Sequence, residues 1–181
     1  MITAISETKE IEKIIRQQLI AQSELSPDRV LNGLNEFGED LDKEIKDDVF
    51  DAIDIENNTL LFELQFRHSS SDISFTENND TSKYASFEVH CVIYGDDSND
   101  IAIKTCARFE TENIRLELID KGVYIEDISE ISSINEFKNG VLWKRVDFFI
   151  NISCRFDVKP LKSTYDFDFD SASFNIIEKE K

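Results

Sequence analysis

The feature that most constrains this chain is a long alternating stretch, "RVDFFINISCRFDV", at residues 145–158. Apolar side chains occupy every second position of it: Val146, Phe148, Ile150, Ile152, Cys154, Phe156 and Val158. This period predicts a β-strand with one buried face. Extended back to Val141, the strand would span roughly 59 Å, whereas a compact domain of this length measures about 40 Å across. Such a strand must bend, project beyond its domain, or pair with another chain.

A second alternating stretch, "YDFDFD", follows Pro160. It places Tyr165, Phe167 and Phe169 on one face of an extended segment and aspartates on the other. Three exposed aromatic rings are unfavourable unless another surface covers them. We therefore expect a C-terminal arm, residues 161–181, attached to a single domain over residues 1–160. The arm either folds back on its own sheet or adds an edge strand to a neighbour.

The remaining elements follow from periodicity and turn signals. Helical spacing predicts helices over 6–23, around 41–53 and around 101–109, and Ser26-Pro27 is typical of a helix start. Alternation predicts strands over 59–67, 84–95 and 123–134, with a polar loop over 68–83 and a hairpin turn at Asn139-Gly140. The order indicates an α+β fold, with a mostly antiparallel sheet of about four strands and helices packed on one side.

The sequence composition indicates the cellular compartment in which the protein is expected. No apolar run is long enough to cross a membrane, and the N-terminal residues lack the pattern of a secretion signal. We expect Cys91, Cys106 and Cys154 to be reduced thiols, the first and last of them packed on apolar strand faces. These observations predict a protein of the cytosol, or of a particle assembled there.

Charge and motifs limit the function. The chain has 20 basic and 38 acidic residues, a formal net charge of −18, which disfavours binding to nucleic acid. His68 and His90 stand apart, and no catalytic or metal-binding motif is present. The acidic clusters at 96–102 and 166–170 lack the pattern of a calcium loop. We expect a protein that is not an enzyme and that uses no metal or cofactor.

One block of the sequence resembles the tail-terminator, or neck-terminator, proteins of tailed bacteriophages. Its features are a strand ending in Tyr-Gly, an amphipathic helix, a Gly-led strand and a long strand entered through a basic-aromatic group. They fall on Tyr94-Gly95, 101–109, Gly122-Val123, Ile128-Ser129 and Trp143-Lys144-Arg145. The resemblance covers residues 84–158 well and residues 6–67 loosely. The acidic segment 38–56 and the residues after Pro160 have no counterpart in it.

The resemblance implies a virion subunit that assembles with copies of itself into a ring, commonly a hexamer. This ring would end growth of the tail tube and join it to neck or connector proteins. DNA would pass through the lumen without specific binding, and no membrane would be involved. The candidate assembly interface comprises Trp143, Arg145, Tyr165, Phe167 and Phe169.

Two alternatives remain open from the sequence. The first is another neck or head-completion ring protein. The second, from a different class, is an acidic mimic of DNA that inhibits a basic nucleic-acid-binding protein. A mimic would be a monomer or dimer whose affinity for its basic partner falls steeply with salt.

Overall fold

The computed structural model describes residues 7–33, 57–69, 74–75, 81–138 and 141–158. Its helices are α1 (Thr8–Ser23), α2 (Ser98–Phe109) and α3 (Glu112–Asp120), and a 3-10 turn, Pro27–Arg29, follows α1. Its strands are β1 (Val30–Asn32), β2 (Thr59–Ser69), β3 (Ser74–Phe75), β4 (Thr81–Tyr94), β5 (Val123–Ile128), β6 (Ser132–Lys138) and β7 (Val141–Val158). None of the described helices is long and apolar enough to span a membrane.

The α+β class predicted from the sequence is confirmed, but the sheet is mixed rather than mostly antiparallel. Its main order is β1-β2-β4-β7-β5, with β3 beside β4 and β6 beside β7. The strand β1 runs parallel to β2, while the other pairs are antiparallel. The parallel strand was missed because its three residues are too few to show alternation. The described strands also exceed the predicted four, partly because 123–134 divides into β5 and the start of β6.

The long strand has the predicted bounds, and its own chain accounts for its length. Along one edge it pairs with β4 without a register shift, from Arg145 opposite Tyr94 to Val158 opposite Thr81. Two shorter strands share the other edge: β6 pairs with residues 141–147 and β5 with residues 150–154. The backbone of β7 therefore finds its partners within one subunit, and its length alone does not require a second chain.

The helices cover one face of the sheet and form the core with it. The inward positions of β7, from Val146 to Cys154, are fully buried. Against them lie the apolar stripes of the helices, including Ile11, Ile15 and Leu19 of α1 and Phe109 of α2. Helix α1 ends where Glu24 adopts a left-handed conformation (φ 61°), so the chain turns back towards β1.

The three cysteines are buried and free, as expected from the sequence. Burial raises the pKa of Cys106 to about 11 and that of Cys154 to about 12. These thiols therefore stay protonated near neutral pH and lack nucleophilic character.

Several sequence predictions lie outside the described residues. They are the acidic helix around 41–53, residues 70–73 and 76–80 of the loop over 68–83, the two turn residues Asn139 and Gly140, and the C-terminal arm 161–181. The other residues of that predicted loop lie in β2, β3 and β4, so the loop prediction is wrong for them. The hairpin itself is confirmed by its strands, because Lys138 pairs with Val141.

Candidate functional site

The face of the sheet away from the helices carries a compact polar and aromatic cluster, which we call the outer cluster. Its apolar part consists of Val92 and Tyr94 of β4, with Leu61 and Trp143 packed against them. The rings of Tyr94 and Trp143 meet edge to face, 5.7 Å between centroids. These contacts follow from the register of the sheet, since even-numbered residues of β4 and odd-numbered residues of β7 share a face.

Arg145 is the centre of the polar part of this cluster. Its guanidinium donates two hydrogen bonds to Asp147, at 2.7 and 2.6 Å, and one to Glu136 of β6 at 2.5 Å. It also lies 5.9 Å from the centroid of the Tyr94 ring. The hydrogen bonds to Asp147 are the main cause of a raised pKa for Arg145, so the group remains charged. Arg145 thereby ties β6 to the centre of the sheet.

His90 extends the network along β4. Its Nε2 atom lies 3.3 Å from Oδ2 of Asp147. Its ring stacks on that of Phe149, with centroids 4.5 Å apart. Asp147 is itself buried. A buried carboxylate is costly unless it is compensated, and Arg145 and His90 supply that compensation. We interpret His90 as a structural partner of Asp147.

The hairpin formed by β6 and β7 extends past the end of β4. The last β7 residue paired with β4 is Arg145, whereas β6 pairs with β7 as far as Val141. Phe137 and Leu142 lie directly opposite each other on this extension, with 77% and 49% of their surfaces exposed. Ile134, on the other face of the hairpin, is also exposed. Phe137 and Leu142, which we call the hairpin tip, form an exposed apolar surface beyond the end of β4.

The predicted interface residues have different environments. Trp143 and Arg145 lie together at the base of the hairpin, but both are half-buried and hold the hairpin to the sheet. Tyr165, Phe167 and Phe169 lie outside the described residues. The exposed pair Phe137 and Leu142 was missed. The predicted turn at Asn139-Gly140 could have identified this pair, because a two-residue hairpin loop places Phe137 and Leu142 opposite each other.

The charged groups of the outer cluster are paired with one another. Within the part of the chain that the structure describes, no group of three or more His, Cys, Asp or Glu residues is placed to hold a metal ion. Arg145 is already bound to two carboxylates, so its charge is compensated locally. No model of a known protein family and no curated protein matches this sequence.

The contribution of the Arg145 network to the stability of the fold can be measured by removing the guanidinium group. In Arg145→Ala the buried Asp147 loses its principal partner, so we expect the free energy of unfolding to fall by about 2–3 kcal/mol. The matched control is Lys144→Ala on the same strand, which removes the cation of an exposed ion pair with Asp96 and should leave the free energy of unfolding nearly unchanged. Urea unfolding of both variants provides the comparison. Equal losses would mean that the network stabilises the hairpin no more than a surface pair does.

Proposed function

We propose that this protein is a structural, non-enzymatic subunit of a ring at the head-proximal end of a phage tail. In this role several copies, commonly six, associate around a channel, end growth of the tail tube and contact neck or connector proteins. The location would be the virion, after assembly in the host cytoplasm. Other ring proteins of the neck or head-completion apparatus would use the same surfaces.

The observation that carries the proposal is the exposed apolar hairpin tip, Phe137 and Leu142. Aromatic side chains are enriched in the buried core of protein–protein interfaces, and apolar neighbours exclude water around them. The hairpin is anchored by the outer cluster, so the tip is presented on a rigid base, which lowers the entropic cost of association. A surface on one end of the subunit that fits a different surface on the next copy generates a closed ring when the rotation closes.

The charge of the chain supports the same role. At −18 the subunit repels DNA, so a channel with this charge lets a genome pass without adhesion. The same charge would also suit a DNA mimic. A mimic, however, has no need of an anchored apolar projection, and this difference favours the ring.

Replacing the apolar tip should prevent assembly without unfolding the subunit. We expect the unaltered chain to form a discrete species near six subunits, and Phe137→Asp to sediment and scatter light as a monomer, because a charge there opposes burial in an interface. Phe137 is largely exposed, so its own domain should lose less than about 0.5 kcal/mol. Light scattering across a concentration series, with thermal unfolding in parallel, gives both results.

Leu116→Asp is the matched control, because Leu116 is 52% exposed on helix α3, which packs against β5. This control should assemble as the unaltered chain does. An unaltered chain that remains monomeric at every concentration would contradict the proposal. Tight, strongly salt-dependent binding of that monomer to a basic protein would support the DNA mimic in its place.

A further inference from the structure

At the end of the sheet farthest from the hairpin, the helix-side face has an apolar groove of about 380 Å³. Its lining includes Leu64 and Phe66 of β2, Ala85 and Phe87 of β4, and Phe156 of β7. Thr8, the first residue of α1, lies at its margin, so the helical layer begins only there. The groove is therefore a part of the core surface that no described element covers.

The floor of this groove is aromatic. The rings of Phe66 and Phe87 meet edge to face at 5.6 Å, and the Phe87 ring lies 6.1 Å from that of Phe156. Phe66 remains 62% exposed, although it belongs to the face that is buried elsewhere in β2. An exposed aromatic patch of this kind is typical of a binding surface. A cavity of about 150 Å³ holds one benzene ring, so this groove has room for about two rings.

We propose that the groove is the docking site of this chain's own C-terminal arm, with side chains from Tyr165, Phe167 and Phe169 inserted between the rings of its floor. This inference does not depend on the proposed ring. It identifies an intramolecular contact that completes the core of each subunit.

The position at which β7 ends supports this occupant. Phe156 lines the groove, and β7 ends two residues later at Val158. Pro160 disfavours continuation of a paired strand, so the chain is expected to turn there. The six residues 159–164 can reach about 20 Å, whereas β2 lies about 10 Å from β7, across β4. The aromatic residues of the arm are thus within reach of the whole groove.

The chemistry of the arm also matches. Its alternation presents aromatic rings on one face, which suit an aromatic floor, and places Asp166, Asp168 and Asp170 on the other. A covalently attached segment also acts at a high effective concentration, in the millimolar range for short linkers, so it outcompetes the same segment of another copy.

Site-specific photo-crosslinking of the full-length chain tests the contact. Phe167 is replaced by benzoylphenylalanine, the protein is irradiated, and the linked peptides are identified by mass spectrometry. We expect links to the peptides that contain Phe66, Phe87 or Phe156, in a product that runs at the mass of one chain on a denaturing gel. In the Phe66→Asp background the yield should fall about tenfold, since a carboxylate in the groove disfavours burial of a ring beside it.

Two controls share the chemistry of the test. Leu116→Asp introduces the same charge at an exposed position on α3 and should leave the yield unchanged. Benzoylphenylalanine at Phe174, which lies beyond the alternating stretch, should give few links to the groove. Phe167 links that map elsewhere, or that scatter over the surface, would overturn the proposal. A groove link that appears only in a product of two chains would also overturn it, because a second copy would then be the occupant.

The link map of the chain with an unaltered groove decides the question by itself, so the test survives if Phe66→Asp fails to fold. It is also independent of the ring. A chain that remains monomeric but gives the intramolecular groove link contradicts the proposed function and supports the docked arm. A chain that forms a ring but gives no groove link supports the proposed function and contradicts the docked arm.

Discussion

Phe148→Ala is expected to lower the free energy of unfolding by about 3–5 kcal/mol, the range found when a fully buried phenylalanine is truncated. Phe148 has no exposed surface and lies in β7 opposite Cys91 of β4, and these are the two longest strands that the structure describes. The core around it, which includes Phe109 and Leu118, comes from strands and helices far apart in sequence, so it cannot easily collapse into the space left behind. For a chain of this size the melting temperature should fall by about 6–20 °C.

The next residue along the strand provides the matched control. Phe149 has the same side chain on the same strand, but it faces the side without helices, where its ring stacks on His90 and is partly exposed. Phe149→Ala should therefore cost only about 1–2 kcal/mol, from the lost stacking and part of the apolar burial. Guanidinium unfolding of both variants measures the difference. Similar losses would mean that the two faces of β7 are equally buried, contrary to the one-sided helical layer.

The contrast between Phe148 and Phe149 also shows what the sequence was able to predict. Alternation from Val146 to Phe156 identified β7, its length and its buried face, because a half-buried strand repeats every two residues. The helix over 6–23 was likewise confirmed as α1 (Thr8–Ser23) from the spacing of its isoleucines and leucine. These elements depend on local periodicity, which a single sequence contains.

Other elements depend on partners that the sequence does not reveal. The strand β1 has three residues, and its parallel pairing with β2 depends on tertiary contact rather than on its own pattern. The break between β5 and β6 was missed because residues 129–133 contain no Gly, Pro, Asn or Asp to mark a turn. The chain divides there since the two strands occupy separate stretches of β7.

The outer cluster was only partly predictable for the same reason. Trp143 and Arg145 were identified as candidates, but their partners depend on the register between strands. His90 and Asp147 are 57 residues apart, and they meet only because β4 and β7 pair in one particular register. A slip of one residue between β4 and β7 would place these two side chains on opposite faces of the sheet. Turn chemistry is local, so the hairpin was predicted, whereas the environment of each side chain on it was not.

Gly95→Ala is expected to destabilise the fold by about 3 kcal/mol or more, although it adds one methyl group. Gly95 follows β4 with a φ of +129°, a region that residues with a Cβ rarely adopt. A Cβ there would lie 2.2 Å from the side-chain oxygen of Asn58 and 2.8 Å from its Cα. Strain and steric overlap therefore act together at this position.

The overlap also affects the start of helix α2. The side-chain oxygen of Asn58 accepts a hydrogen bond from the backbone N–H of Asp97 at 3.0 Å, just before α2 begins. The backbone of Gly95 is itself bound to β7, since its N–H donates to the carbonyl of Lys144 at 3.1 Å. Neither side can move without losing a hydrogen bond, so the clash cannot be relieved cheaply.

Gly33→Ala is the matched control for this substitution. A Cβ at Gly33 would meet its nearest neighbour, the carbonyl oxygen of Phe62, at 3.5 Å, which is an ordinary contact. Its cost should stay within about 1 kcal/mol. Adding Asn58→Gly to Gly95→Ala removes the clashing side chain, and glycine suits the positive φ of 53° at position 58. The double variant should therefore recover part of the lost stability. Thermal unfolding of the three variants separates the contributions. If Gly95→Ala is tolerated as well as Gly33→Ala, the turn that joins β4 to α2 must differ from the one described here.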